Sequence, residues 1–227
     1  MSWVGRSVTT SARDRLAQLT GFRRREFRRL ATAGSIESGN WTPIELFDVQ
    51  IDDWPAHLLQ SLLAELGDGR VLIVWRVTKN GKEEPAYKYF AVSDDGGLTF
   101  SKPAVFRYSD GKRFFSSSTF HRLYRSSKTD KLYCIGNIIP THTTIPGHPR
   151  YPLIIAEIDE QTLGLKRETV TEIDTRHSGE GERLQLSNFW VNESQEEKNL
   201  EIYLTRIHEN ADELYTAKVY RYTVTFR

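Results

Sequence analysis

Ser93-Asp94-Asp95-Gly96-Gly97-Leu98-Thr99-Phe100 fits the pattern Ser-x-Asp-x-Gly-x-Thr-aromatic and lies between two strand-like segments. It reads as a hairpin turn that fastens itself. The Asp95 carboxylate accepts hydrogen bonds from N–H groups of its own turn, and the Ser93 hydroxyl does so more weakly. Gly96 and Gly97 supply the positive φ of a tight hairpin. Thr99 re-enters the next strand, and Phe100 is an apolar plug beneath the turn.

Working outward, the chain from Leu58 reads as recurring strand groups. The first comprises Leu59–Glu65, Arg70–Thr78, Ala86–Ser93 and Phe100–Arg107, with Asp68-Gly69 and Asn80-Gly81 as hairpin signals. The second has Thr119–Tyr124, Lys131–Asn137, Tyr151–Asp159 and Lys166–Ile173. The third has Leu184–Val191, Leu200–His208 and Ala217–Phe226. First strands therefore begin near residues 60, 119 and 185, and groups of four strands at about 40–60 residues are the mark of propeller blades. An upstream echo supports this spacing. Ser35-Ile36-Glu37-Ser38-Gly39-Asn40-Trp41 is a degenerate copy of the turn, and Thr42–Phe47 aligns with Ser101–Phe106 at an offset of 59 residues.

The octapeptide resembles the Asp-box, or bacterial neuraminidase repeat, of sialidase-like β-propellers. In that family the box (here Ser93, Asp95, Gly97, Thr99 and Phe100) is a structural staple on the outer rim of a blade. The expected fold is all-β: an incomplete sialidase-like propeller of about three four-stranded antiparallel blades plus an outer strand, preceded by a short basic helix. Residues 1–34 form the basic segment and 35–227 the partial propeller. A full sialidase-like propeller has six blades, so the chain reads as a C-terminal half-propeller. A compact four-unit β domain is the alternative.

Composition narrows the function classes. Lys+Arg 31 against Asp+Glu 30 leaves no global field for nucleic acid or membrane, and the single Cys134 rules out an internal disulfide framework. No apolar run reaches the length of a membrane span and no secretory h-region is present, so a cytoplasmic location is the default expectation. Eight arginines crowd the first 30 residues. A solvated basic helix, a targeting peptide and an RNA-binding arm all fit them. Open blade edges make a homo-oligomer one expectation.

Ligands of propellers bind where first strands and their preceding loops converge. That places Gln60, Ser117, Ser118, His121, Arg122, Gln185 and Asn188 at a channel mouth, a polar set beside Phe115, Phe120 and Phe189 that suits a carbohydrate. The same residues also suit backbone satisfaction at crowded strand ends. The long loop 138–150 carries His142, His148 and Arg150, followed by Tyr151, and Arg150 suits bidentate recognition of a carboxylate. The resemblance implies a glycoside hydrolase that holds a sialic acid carboxylate with three arginines and uses a tyrosine nucleophile paired with glutamate and an aspartate acid/base. Arg150, Tyr151, Arg122 and His121 are the catalytic candidates. Arg76, Arg206, Tyr203, Glu65 and Glu201 stand behind them. Pro149-Arg150-Tyr151-Pro152 follows the box, whereas the family's Arg-Ile-Pro element precedes its boxes. The histidines lack an acidic partner at metal-ligand spacing, so no metal and no cofactor is expected. A non-catalytic propeller module that binds glycan or protein is the competing reading.

Overall fold

The computed structural model describes residues 56–79, 87–141, 147–210 and 217–226, with the side chains of 56–60, 78 and 79 excepted. The predicted basic helix, the turn echo at 35–41, the Asn80-Gly81 turn, His142 and the side chain of Gln60 lie outside these residues.

Within the described residues the fold is all-β, built from three antiparallel sheets in the manner of an incomplete propeller. The first contains β1 (Ala56–Glu65), β2 (Val71–Lys79), β3 (Lys88–Ser93) and β4 (Ala104–Val105), in that order. The second runs β5 (His121–Arg125), β6 (Leu132–Asn137), β7 (Leu153–Asp159) and β8 (Gly164–Leu165), with β9 (Thr171–Asp174) also paired to β7. The third has β10 (Phe189–Glu193), β11 (Leu200–Thr205) and β12 (Val219–Val224).

Two-residue alternation explains how the sheets stack. On β2, Leu72 and Val74 point into a core shared with the second sheet, while Val71, Ile73 and Trp75 point the other way into a core of their own. Leu132, Cys134, Ile154, Ala156 and Ile158 complete the shared core from the second sheet. The opposite face of that sheet, through Ile135, Leu153 and Ile155, meets Leu200, Ile202 and Leu204 of the third. Each inner interface is thus fed by two sheets, which is why β6 and β7 are apolar on both faces. The outer face of the third sheet is open, with Trp190 64%, Tyr203 38% and Val219 68% exposed.

Strand lengths depart from the sequence reading at two places. In place of one strand at Lys166–Ile173, two short strands, β8 before it and β9 at its end, flank a 3-10 turn at Arg167–Thr169, because β7 pairs β8 through Ile158 and Asp159 but β9 through Leu153–Ile155. The third sheet has the three strands read from the sequence, but with different bounds. Its first strand begins at Phe189 rather than Leu184, since Gln185 instead forms isolated bridges to Arg150 and Ile207.

The first two sheets meet at a point where only glycine fits. A Cβ on Gly164 would lie 2.7 Å from the Ser109 nitrogen and 2.8 Å from the Tyr108 carbonyl carbon. Tyr108 and Leu165 form a parallel bridge there. Gly164→Ala is expected to push β8 off the 107–109 segment at a cost of about 1–3 kcal/mol, read as a lower urea midpoint with an unchanged m-value.

The self-fastening turn closes around one carboxylate. Asp95 Oδ1 accepts from Thr99 N at 2.9 Å, Leu98 N at 3.1 Å and the Ser93 hydroxyl at 2.7 Å, and Oδ2 accepts from the Thr99 hydroxyl at 2.7 Å. Gly97 N donates to Ser93 Oγ at 2.7 Å, and Gly97 has φ of 90°. The Thr99 hydroxyl, with the other donors, holds Asp95 far below the ordinary carboxylate range. Phe100 packs against the core on the outer face of the first sheet. This turn lies at the Val71 end of the β2–β3 ladder, five residue pairs from Arg76↔Lys88 and so about 17 Å along the strands.

Candidate functional site

The end of the sheets remote from the Asp95 turn gathers the ends of β2, β6 and β11 and the starts of β3, β5, β7 and β10. Most of the polar residues singled out from the sequence converge there. Arg150, just before β7, donates from Nη1 to Gln185 Oε1 at 2.9 Å and Ser187 Oγ at 3.3 Å, and from Nε to the Gly147 carbonyl at 2.8 Å. Gln185 is fixed in turn by its N–H to the Ile207 carbonyl at 2.9 Å. Ser117 donates its hydroxyl to the Pro149 carbonyl, which ties the segment before β5 to the one before β7. Asn188 joins through its backbone, its carbonyl accepting from Thr205 N at 3.2 Å. Ser118 lies half-buried in the same segment as Ser117.

Asn137 organises this end. Fully buried at the close of β6, its Nδ2 donates to the carbonyls of Arg150 and Pro152, both at 3.0 Å. The sequence reading took Asn137 as the end of an apolar strand. A lone amide there, facing backbone that is not in a ladder, is the signal that identifies such a clamp.

A second group lies beneath the mouth. Lys88 is buried, with Nζ donating to the Thr119 carbonyl at 3.0 Å. Burial, with Arg76 nearby, lowers its pKa to about 8, although the Cys134 thiol works in the other direction. His121 is also buried, and burial followed by the Lys88 charge holds its pKa well below the ordinary imidazole value, so the ring is neutral near pH 7. Burial pushes the Cys134 thiol up to about 11, which leaves it protonated and unreactive. The Arg76 guanidinium sits 4.9 Å from the Phe120 ring centre, and Arg122 sits 5.6 Å from that of Trp190. Burial lowers the pKa of both Arg122 and Arg150.

Three buried nitrogens here have no hydrogen-bond partner among the described residues: Arg76 Nε, His121 Nε2 and His148 Nδ1. Such groups are costly unless something accepts from or donates to them. No ion pair among the described residues involves Arg76, Lys88, Arg122 or Arg150. The arrangement therefore combines fixed cations with buried polar atoms that have no partner among the described residues.

Other candidates sit elsewhere. Tyr151 is half-buried against the core between the second and third sheets. Tyr203 donates to Glu201 Oε2 at 2.8 Å on the exposed face of β11, directly across from Trp190. Arg206 serves as a structural hub, paired with Asp174, Glu180 and Glu209.

No family model matches the chain, and no curated protein matches it. Among solved structures it is similar to the α-L-arabinofuranosidase of Fusarium graminearum in complex with arabinobiose, at 17% identity and TM-score 0.47, over 80% of this chain and 49% of that one. It is similar to an N-acetylgalactosamine deacetylase from F. plautii in complex with blood group B trisaccharide, at 9% identity and TM-score 0.45, over 73% and 50% of the two chains. A protein of unknown function from Dyadobacter fermentans matches at 12% identity and TM-score 0.39, over 74% and 43%. The chain spans about half the length of these proteins, and no residue is carried across from them.

Proposed function

We propose that the chain is a glycan-acting, sialidase-like propeller domain whose mouth binds a carboxylate-bearing sugar. The observation that carries this reading is the buried Arg76 Nε, without a hydrogen-bond partner among the described residues, near the fixed guanidinium of Arg150. Fixed donors in a low-dielectric site favour an anion, while Phe120 and Trp190 offer apolar faces to a sugar ring. Binding is the primary role. Hydrolysis is the second reading, favoured by the Tyr203–Glu201 pair, which has the residue types of a sialidase nucleophile and lies next to the Trp190 that Arg122 covers.

Two measurements on the purified chain test this. In titrations with 3′-sialyllactose and neutral lactose, preferential binding of the acidic sugar is expected, weakened about tenfold or more by Arg150→Ala. Equal affinity for both sugars would remove the carboxylate from the reading. In a fluorogenic sialoside assay, turnover abolished by Tyr203→Phe establishes hydrolysis, and turnover at the buffer background leaves the domain a binding module.

A further inference from the structure

We propose a second ligand site, distinct from the mouth: a groove of about 940 Å³ between the 108–115 segment and the second sheet that takes a uronate-bearing oligosaccharide. Its walls include Tyr108, Phe115 and Tyr151, and its rim carries Arg113, Arg167 and Glu172. Each arginine lies over a tyrosine ring. Arg113 lies 5.6 Å from the centre of Tyr87, which itself stacks on Phe115, and Arg167 lies 5.3 Å from that of Tyr108. A guanidinium over an aromatic face keeps N–H donors for a carboxylate.

Neither arginine has a carboxylate at ion-pair distance among the described residues. Glu172 offers an acceptor for sugar hydroxyls, and the tyrosine and phenylalanine rings offer faces for the C–H side of a pyranose. Carboxylate, hydroxyls and an apolar face together describe a uronic acid residue better than an inorganic anion. The segment before β7 separates the two sites. Arg150 turns to Gln185 and Ser187 at the mouth, whereas Pro149, Tyr151 and Pro152 line the groove.

The test is fluorescence anisotropy of end-labelled tetragalacturonate with the intact chain, against galactotetraose and a short polyglutamate. The expected result is that tetragalacturonate binds, that Arg113→Ala/Arg167→Ala weakens it about tenfold or more, and that added salt weakens it further. The double lysine variant, which keeps the charge but loses the flat fork, should also bind more weakly. Saturating 3′-sialyllactose, which occupies the mouth, should leave this affinity unchanged, which keeps the outcome separate from that at the mouth. The proposal is overturned if the native chain does not bind tetragalacturonate, or if the folded double alanine variant keeps native affinity. Displacement of the label by 3′-sialyllactose, or equal binding of galactotetraose or polyglutamate, overturns it as well.

Discussion

Replacing Arg206 with alanine is expected to cost about 3–5 kcal/mol of stability, enough to unfold a marginal domain at moderate temperature. The side chain is 3% exposed and meets three carboxylates: Asp174 at the end of β9, Glu180 in the following loop, and Glu209 at 2.9 Å. Burial works against its charge, but the Asp174 and Glu180 carboxylates more than compensate and raise its pKa above the ordinary arginine value. Tyr222 also donates to Asp174, at 2.5 Å, and Tyr220 to Glu209, at 3.0 Å. One guanidinium thus ties the second sheet to the third. Removing it leaves Asp174, itself 8% exposed, without its cation. Arg206→Lys, with one ammonium in place of a three-way fork, should fall between the native protein and the alanine variant. Urea unfolding measures this. A loss below about 1 kcal/mol would reduce the network to an ordinary surface cluster.

That hub also shows where sequence reading stops. The Asp95 turn is legible because its donors lie within a few residues of its acceptor, so the octapeptide holds the whole set of bonds. The sheets are legible because alternation is local, and β2 writes both of its faces into Val71–Trp75. The partners of Arg206 come from positions 174, 180 and 209, and only the packing of two sheets brings them together. Read as one more arginine for the mouth, it has no such role, since its donors are taken. Arg150 was legible as a candidate, but its partners Gln185 and Ser187 lie more than thirty residues on. Lys88 interrupts the apolar run Tyr87–Val92, and a charge at a strand position with buried neighbours is a signal that composition averages away.

Lys88 should make stability depend on alkaline pH in a way that Lys88→Met abolishes. Above the unfolded-state value near 10.5 the amine is neutral in both states. As pH falls toward about 8, the unfolded chain takes up a proton that the folded chain, with its amine buried beside Arg76 and His121, takes up less readily. Stability therefore rises with pH between about 8 and 10.5, with a limiting slope near 1.4 kcal/mol per pH unit, and is lowest once both states are charged. The full burial cost below pH 7 is about 3 kcal/mol. Methionine removes it while sacrificing the hydrogen bond to the Thr119 carbonyl, worth about 1 kcal/mol. The variant should thus be about 1–3 kcal/mol more stable than the native chain at pH 7, with the order reversing as pH approaches 10.5, where only the loss of the hydrogen bond, about 1 kcal/mol, remains. Urea titrations of both proteins across pH 6–10.5 measure the difference, and a constant gap would remove Lys88 as its source. A cation kept at such a cost needs a compensating role, and the mouth above it supplies one. If Lys88 adds to the field that holds an acidic sugar, affinity for 3′-sialyllactose falls in Lys88→Met, and in the native chain it falls as pH rises through about 8. A variant that is more stable yet binds as well as the native chain would separate the buried amine from recognition.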